Sequence, residues 1–347
     1  MSESIGHISK VEINGMWDKH NIEWNLLSDV NILSGINGSG KTTILDCVCA
    51  LVTLGKLPDF YLKIVKNIKI TFNSGRYISL EHVKIKDRIK NIEKQAKNNN
   101  NYEQLITALK EQEGENYKKI KEVSVEFGVV SFDNLKMTVA ELNQLLQIDV
   151  VSTFDTILKQ SDAVKKLSDD TVKTELDWQI FQLQKKYLDY QLNIGKKAFD
   201  AIKKNAVNTD VKKIEEPKNR FLDIIDSLFS QTGKKINRNE NEISFLIGKQ
   251  KLSPFQLSSG EKQMLVILLT TLVQDNKNSI LFMDEPEISL HFDWQKKLIG
   301  YITELNPNAQ IILATHSPAV IMEGWYSNVS EVSDLVKPNP KSRVHAA

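Results

Sequence analysis

The chain has 347 residues, 45 Lys+Arg against 44 Asp+Glu, a net charge of +1 and a hydrophobic fraction of 41%. That length allows one large α/β domain with an insertion, or two modest domains, and near-neutrality excludes a global field that would by itself recruit nucleic acid or a lipid surface. No apolar run approaches the ~18 residues of a membrane span and no basic-then-apolar leader opens the chain, so a cytoplasmic chain without membrane contact is expected.

Alternating apolar and polar residues predict strands over 7–13 and 21–27, joined by a turn at Asn14-Gly15. Val30–Ser34 reads as a short strand buried on both faces. A glycine-rich loop follows, then Lys41–Leu54, nearly all apolar and of helical length. This helix carries both cysteines, Cys47 and Cys49. Two residues apart on a helix they face different ways, which argues for small buried residues in a reducing compartment rather than a disulfide or metal pair. Segments 66–73 and 77–84 predict a hairpin about Ser74-Gly75-Arg76. Ile85, Ile89, Ile92 and Ala96 have helical spacing on a Lys-rich stretch, resumed at Leu105 and Leu109. Strands at 122–131 and 148–154 flank a helical segment around 139–146.

From about 162 to 235 the pattern is almost all helical. Leu176, Ile180, Leu183, Tyr187, Tyr190 and Ile194 repeat as a heptad seam, the mark of a coiled-coil surface. Pro217 is expected to open a further helix that ends at Phe229, and 242–247 reads as a strand. The resulting organisation is α/β. Residues 1–84 and 236–325 are expected to be two halves of one core with a central sheet, 85–235 a helical, coiled-coil-like insertion, and 326–347 a flexible tail.

Gly35-Ile36-Asn37-Gly38-Ser39-Gly40-Lys41-Thr42 has the form G-x-x-x-x-G-K-[ST] between a strand and a helix. Glycines let backbone N–H groups turn inward around a phosphate, and the helix N-terminus adds partial positive charge. Gly35, Asn37, Gly38, Ser39, Gly40, Lys41, Thr42 and Thr43 are therefore candidate contacts to ATP: Lys41 for the β- and γ-phosphates, the Thr42 hydroxyl for Mg²⁺, Thr43 for the α-phosphate. Ile280-Leu281-Phe282-Met283-Asp284-Glu285 is a buried-strand pattern that ends in two acids. Asp284 is expected to hold Mg²⁺ and Glu285 to act as general base on water. Leu257-Ser258-Ser259-Gly260-Glu261-Lys262-Gln263 precedes a helix expected over 264–273. It reads either as an anion site made of backbone amides or as an ordinary helix cap with a first-turn glutamate. His316, after the apolar segment 310–314, is either a γ-phosphate sensor or a satisfied strand-edge residue.

In this order, GINGSGKT, LSSGEKQ, ILFMDEPEISLH and ILATHSP resemble the ABC-type ATPase superfamily. Within it they are similar to the non-transport branch of SMC, RecF-like and OLD-type ATPases and the ATPases of anti-phage systems such as Septu and certain retrons. The likeness covers about residues 5–54 and 240–325. It implies a head-to-tail dimer that clamps ATP between one copy's phosphate loop and the other's signature helix. Ser258, Ser259, Gly260 and Glu261 would then meet nucleotide in trans, Ile288, Ser289 and Leu290 would form the loop at the dimer seam, and His316 would be the switch histidine. Two family features have no clear counterpart. The Q-loop glutamine is not evident among Gln144, Gln147 and Gln160, and Trp17 is either the adenine-stacking ring or a structural tryptophan.

The function implied is a cytoplasmic ATPase, slow and dependent on dimerisation, that forms a homodimer or a higher assembly of dimers. It would act as sensor or scaffold of a defence system controlling a separate effector, a nuclease or toxin. The 31 residues after His316 leave no room for a nuclease domain of the OLD type, roughly 150 residues, so cleavage is expected of a partner. The alternative is a RecF- or SMC-like clamp on duplex DNA. The Lys-rich helices permit that contact, although interleaved acids favour simple solvated faces.

Overall fold

The computed structural model describes residues 6–84, 126–131, 138–151, 172–203 and 208–338. The helices expected at 85–97 and around 105–109, Gln160 and the end of the tail lie outside these residues.

The N-terminal strands β1 (Ile8–Met16), β2 (His20–Asn25), β4 (Asn67–Phe72), β5 (Tyr77–Lys84) and β6 (Glu126–Ser131), with β14 (Val336–Pro338), make an antiparallel sheet in the order β14-β2-β1-β4-β5-β6. The turn expected at Asn14-Gly15 is instead a register shift within β1, with Gly15 at φ 69. The chain reverses three residues later, where Trp17 and Asp18 both take left-handed φ (51 and 59), the geometry that suits a tight hairpin to the twist of its strands.

The second sheet is parallel, in the order β13-β3-β12-β11-β7: β3 (Val30–Ser34), β7 (Gln147–Val151), β11 (Ser279–Asp284), β12 (Ala309–Ala314) and β13 (Val329–Glu331). Both faces are covered, which is why its central strands carry the apolar runs Ile280–Met283 and Ile311–Ala314. Ile280, Phe282, Ile312, Ala314 and Leu33 face α1 (Lys41–Leu54) and the antiparallel sheet. Leu281, Met283, Ile311, Leu313, Val30 and Ile32 face the other helices. β7 falls within the stretch expected as an insertion, yet it forms the edge of this core sheet, pairing with β11.

Short helices α2 (Asp59–Leu62) and α3 (Val139–Leu145) pack beside α1. The opposite face carries α4 (Glu175–Lys203), α5 (Asn208–Phe229), α6 (Ser259–Val273) and α7 (Phe292–Leu305), with a small sheet of β8 (Lys234–Ile236), β9 (Phe245–Ile247) and β10 (Gln250–Leu252). α5 runs through Pro217 instead of starting there, and its apolar residues Phe221, Leu222, Ile224, Ile225 and Leu228 join this core. The heptad seam of α4 is not a free coiled-coil surface. All six of its residues are at most 6% exposed and lie in one core with α5 and α6. α6 is apolar all round and buried on every side from Glu261 to Leu272, so the seam is what fits α4 against it.

One ion pair fastens these two helices. Lys262 Nζ lies 2.8 Å from Asp177 Oδ1, and both side chains are buried. The other oxygen of Asp177 accepts the N–H groups of Lys173 and Thr174, each at 3.0 Å, where α4 begins. Burial pushes the Asp177 carboxyl up, but Lys262 and the two amides outweigh it and hold it below the usual carboxylate range. Its contribution to stability is therefore complete at neutral pH and is lost as pH falls through that depressed value. Replacing Lys262 strands a buried charge. Lys262→Met is expected to cost about 3–5 kcal/mol at pH 7 and distinctly less near pH 4, where Asp177 can take up a proton. Urea unfolding at the two pH values checks this.

Candidate nucleotide site

The phosphate loop follows from where β3 stops. Gly35, Gly38 and Gly40 have φ of 153, 80 and 100, all in the region where a side chain is strained. The loop delivers the chain into α1 with Gly40 as N-cap. No side chain caps α1, and its first turn holds no acid. Its leading N–H groups and the positive end of its dipole are thus left for an anion. The half-exposed ring of Trp17 closes that end of the loop: a Cβ on Gly40 would lie 2.6 Å from it. Asn37 and Gly38 are at the exposed tip, and the Ser39 hydroxyl is buried with no hydrogen-bond partner among the described residues.

Period two places the first acid. Asp284 follows Ile280 and Phe282 on the face of β11 that packs on α1, and Thr42 Oγ1 donates to Asp284 Oδ2 at 2.8 Å. Burial pushes the Asp284 carboxyl above its ordinary value against that hydrogen bond, and the nearby Asp46 and Glu285 push the same way. Asp46, one turn along α1, accepts the Tyr61 hydroxyl. A hydroxyl and a carboxylate face to face, in a region of excess negative charge, are the hard oxygen donors that Mg²⁺ takes.

Lys41 is 5% exposed. Its ammonium donates to the carbonyls of Gly35 (2.9 Å) and Ile36 (3.5 Å) and lies 3.6 Å from Glu285 Oε1. Phosphate oxygens would supply the counter-charge that these partners give only in part. Glu285 lies just past β11 in the left-handed region (φ 48), its N–H held by Ala314 O at 2.8 Å. Such backbone costs energy and gathers at working sites. Its second oxygen meets His316 Nδ1 and accepts the His316 N–H at 3.3 Å. Thr43, on the first turn of α1, is half-buried. The structure thus brings Lys41, Thr42, Asp284, Glu285 and His316 together from the ends of β3, β11 and β12.

Among the described residues, no hydrogen bond or ion pair joins Ser258–Glu261 of the signature segment to this group, although Gln263 donates to Pro286 O at 3.0 Å. Ser258 caps α6 through a reciprocal box with Glu261: Ser258 N–H and hydroxyl both donate to Glu261 Oε2 at 2.9 Å. Glu261, expected at the nucleotide, is instead 2% exposed, with its carboxylate bound to Lys234 (2.7 and 2.9 Å) and Thr232 (2.9 Å). Burial raises its proton affinity, but Lys234 and the Ser258 amide win and hold it below the usual range. Of the seam loop, Ser289 (φ 74) is exposed and Leu290 is buried. A Cβ on Gly260 would lie 2.3 Å from Ser289 O, so glycine is needed there to let α6 approach that loop. No sequence pattern showed this contact.

Gln147 donates to Asp149 at 2.9 Å and Gln144 is exposed. Among the described residues, no hydrogen bond joins either to the phosphate loop. Burial pushes the thiols of Cys47 and Cys49 up, to about 12 and about 11, as expected of inert packing residues. A groove of about 900 Å³ beside α4, lined by Phe181, Lys185, Glu242 and Phe255 among others, contains none of the motif residues above. No helix among the described residues is long and apolar enough to cross a membrane.

The family model of AAA_21, "AAA domain, putative AbiEii toxin, Type IV TA system", matches residues 30–323. The chain belongs to this family. The "Septu protein PtuA" of Bacillus thuringiensis is 27% identical over 334 residues, 90% of this chain and 72% of that protein. The "Retron Vc95 probable ATPase" of Vibrio cholerae serotype O1 biovar El Tor is 29% identical over 136 residues, 36% of this chain. The matched stretch spans only 25% of that retron protein's length. Among solved structures, the SMC head bound to the C-winged helix domain of ScpA aligns over 97% of this chain and 99% of its own, at 14% identity and a TM-score of 0.51. Family and fold thus agree on an ATPase domain of the AAA_21 family with the fold of an SMC head.

Gly260→Ala tests the close approach of α6 to Ser289. The added methyl has backbone against it, and overpacking of this kind costs about 1–3 kcal/mol. A lower Tm is the expected outcome in thermal unfolding, whereas Gly300→Ala, mid-helix in α7 with a Cβ that meets nothing within 4 Å, should leave Tm unchanged or raise it.

Proposed function

We propose that this AAA_21 ATPase is the ATP-driven switch of an anti-phage defence system, controlling a separate nuclease or toxin. The observation that carries the catalytic part is the convergence of Lys41, Thr42, Asp284, Glu285 and His316 at the uncapped start of α1. Gly35 to Thr43 would cradle the phosphates of ATP, with Lys41 neutralising their oxygens. Thr42 and Asp284 would hold Mg²⁺, which, when bound, offsets phosphate charge. Glu285, hydrogen-bonded to His316, would accept the proton of the attacking water, and His316 would register the terminal phosphate.

The exposed Ser258 and Ser259–Gly260 start of α6 and the exposed Ser289 would face the loop of a second copy, so hydrolysis would need a dimer and be slow in the monomer. The support for defence is the likeness to the Septu and retron proteins. Partner contact would not use the heptad seam of α4, which is buried, but outward residues such as Phe181, Leu192, Phe199 and Ile202, all exposed.

Lys41→Ala is expected to abolish nucleotide binding. Glu285→Gln should bind ATP normally, lower turnover by a factor of about 100 or more and accumulate as an ATP-bound dimer in size-exclusion chromatography. Turnover by Glu285→Gln at the wild-type rate would remove Glu285 from its role. The same variant, tagged and recovered from its host, tests the biology. A stoichiometric nuclease or toxin supports the switch reading, whereas duplex DNA with no second protein would favour a clamp on DNA.

A further inference from the structure

Glu287 has no part in the site as described so far. It lies two residues beyond Glu285, on the turn that leaves β11, and is 6% exposed. One of its oxygens, Oε1, gathers three donors from consecutive residues after β12: the Thr315 hydroxyl, the His316 N–H at 3.3 Å and the Ser317 N–H at 3.2 Å. The His316 ring nitrogen Nδ1 is 3.8 Å away. The other oxygen, Oε2, is buried and accepts no hydrogen bond from any described residue.

A structural acceptor of backbone N–H groups is a common use of a buried acid, and it would leave the chemistry unaffected. The arrangement here is more particular. The three donors belong to the turn that carries His316, and the turn is further tied by the Ser317 hydroxyl, which donates to Gln295 Oε1 at 2.7 Å. The Glu287 side is pinned as well: Gln263 of α6 donates to Pro286 O at 3.0 Å. Glu285 and Glu287 therefore flank His316 from one turn: both accept its N–H, the first also meets its ring and the second also binds Thr315 and Ser317 on either side. A carboxyl so enclosed resists ionisation. Burial pushes Glu287 up to about 7 and the neighbouring Glu285 adds to the shift, while Thr315 opposes it. A proton on the idle Oε2 lets the two acids sit side by side without repulsion.

We propose that Glu287 is a positioning residue for ATP hydrolysis: its buried carboxyl clamps the backbone of residues 315–317 and so holds the His316 imidazole against the Glu285 carboxylate. This rests on Glu285 and His316 being the hydrolytic pair. The clamp acts on turnover, not on nucleotide binding, because none of its contacts reaches the phosphate loop. Glutamine is the conservative replacement, since its carbonyl keeps the acceptor for the three donors and its amide supplies the donor that a protonated carboxyl would.

The test is steady-state ATP hydrolysis by the full chain, wild type against Glu287→Ala, Glu287→Gln, Thr315→Val and Glu285→Gln, with binding of a fluorescent ATP analogue measured alongside. Glu287→Ala is expected to lose about tenfold to a hundredfold in kcat with KM and analogue affinity within about threefold of wild type. Glu287→Gln should recover most of that loss, and Thr315→Val should fall between. The proposal is overturned if Glu287→Ala turns over within about twofold of wild type, if Glu287→Gln is as impaired as Glu287→Ala, or if KM rises as much as kcat falls. Should Glu287→Ala fail to fold, Thr315→Val decides alone, and wild-type kcat there overturns the clamp. Normal hydrolysis by Glu285→Gln would instead overturn the reading of the pair itself.

Discussion

The hydrogen bond between Thr42 and Asp284 joins side chains 242 residues apart, and the site exists only because the parallel sheet brings them together. β3 and β11 are separated by β12 in the sheet, yet both end at the same edge because all the strands run one way. The loop after β3 turns into α1, and α1 packs across the face that carries Ile280 and Phe282. Alternation then leaves Asp284 no choice of side. Ligand sites at the C-terminal ends of parallel strands are the general outcome of this architecture, and the apolar residues of β11 are as necessary to the acid's position as the acid itself.

Much of this was legible in the sequence, for a physical reason. Phosphate binding needs close backbone approach, a cation and a hydroxyl at contiguous positions, so Gly35 to Thr42 could be read directly, as could a buried strand that ends in Asp284 and Glu285. The bounds of β3 and α1 followed from the same runs. What was not legible depends on contacts between distant segments. The heptad seam of α4 was visible as a periodicity, but periodicity does not say whether the partner is another chain or, as here, α6 of the same one. Pro217 reads as a helix start by local rule, and α5 nevertheless runs through it, joined to the core by Phe221 and Ile225. Nothing in the residue pattern singled out Glu287 within DEPEISLH. Its enclosure by Thr315, His316 and Ser317 appears only when β11 and β12 lie side by side.

The two helices that bear motifs are prepared in opposite ways. α1 starts on a left-handed glycine with no side-chain cap and no acid. α6 starts on a full capping box, with Glu261 sealed behind it by Lys234 and Thr232. Within a single chain, one helix N-terminus is therefore open to an anion and the other is satisfied from inside. This suits a division in which α1 takes the main phosphate charge and α6 contributes from its exposed serine edge, with its shape set beforehand by its own cap.

The Asp177–Lys262 pair has a mechanical corollary. It sits at the root of α4, next to the first turn of α6, and α4 is 29 residues long. At 1.5 Å per residue that is a rod of about 43 Å. Its seam packs on α6 from Leu176 to Ile194 and Lys197 holds Asp275 just past the end of α6 at 2.6 Å, so the two helices would tilt as one body, and about 5° would swing the far end by about 4 Å, roughly the width of a side chain. Phe199 and Ile202, exposed near that end, would sweep through the largest arc, so a displacement too small to register beside the nucleotide becomes one that a bound protein would feel as a gained or lost contact.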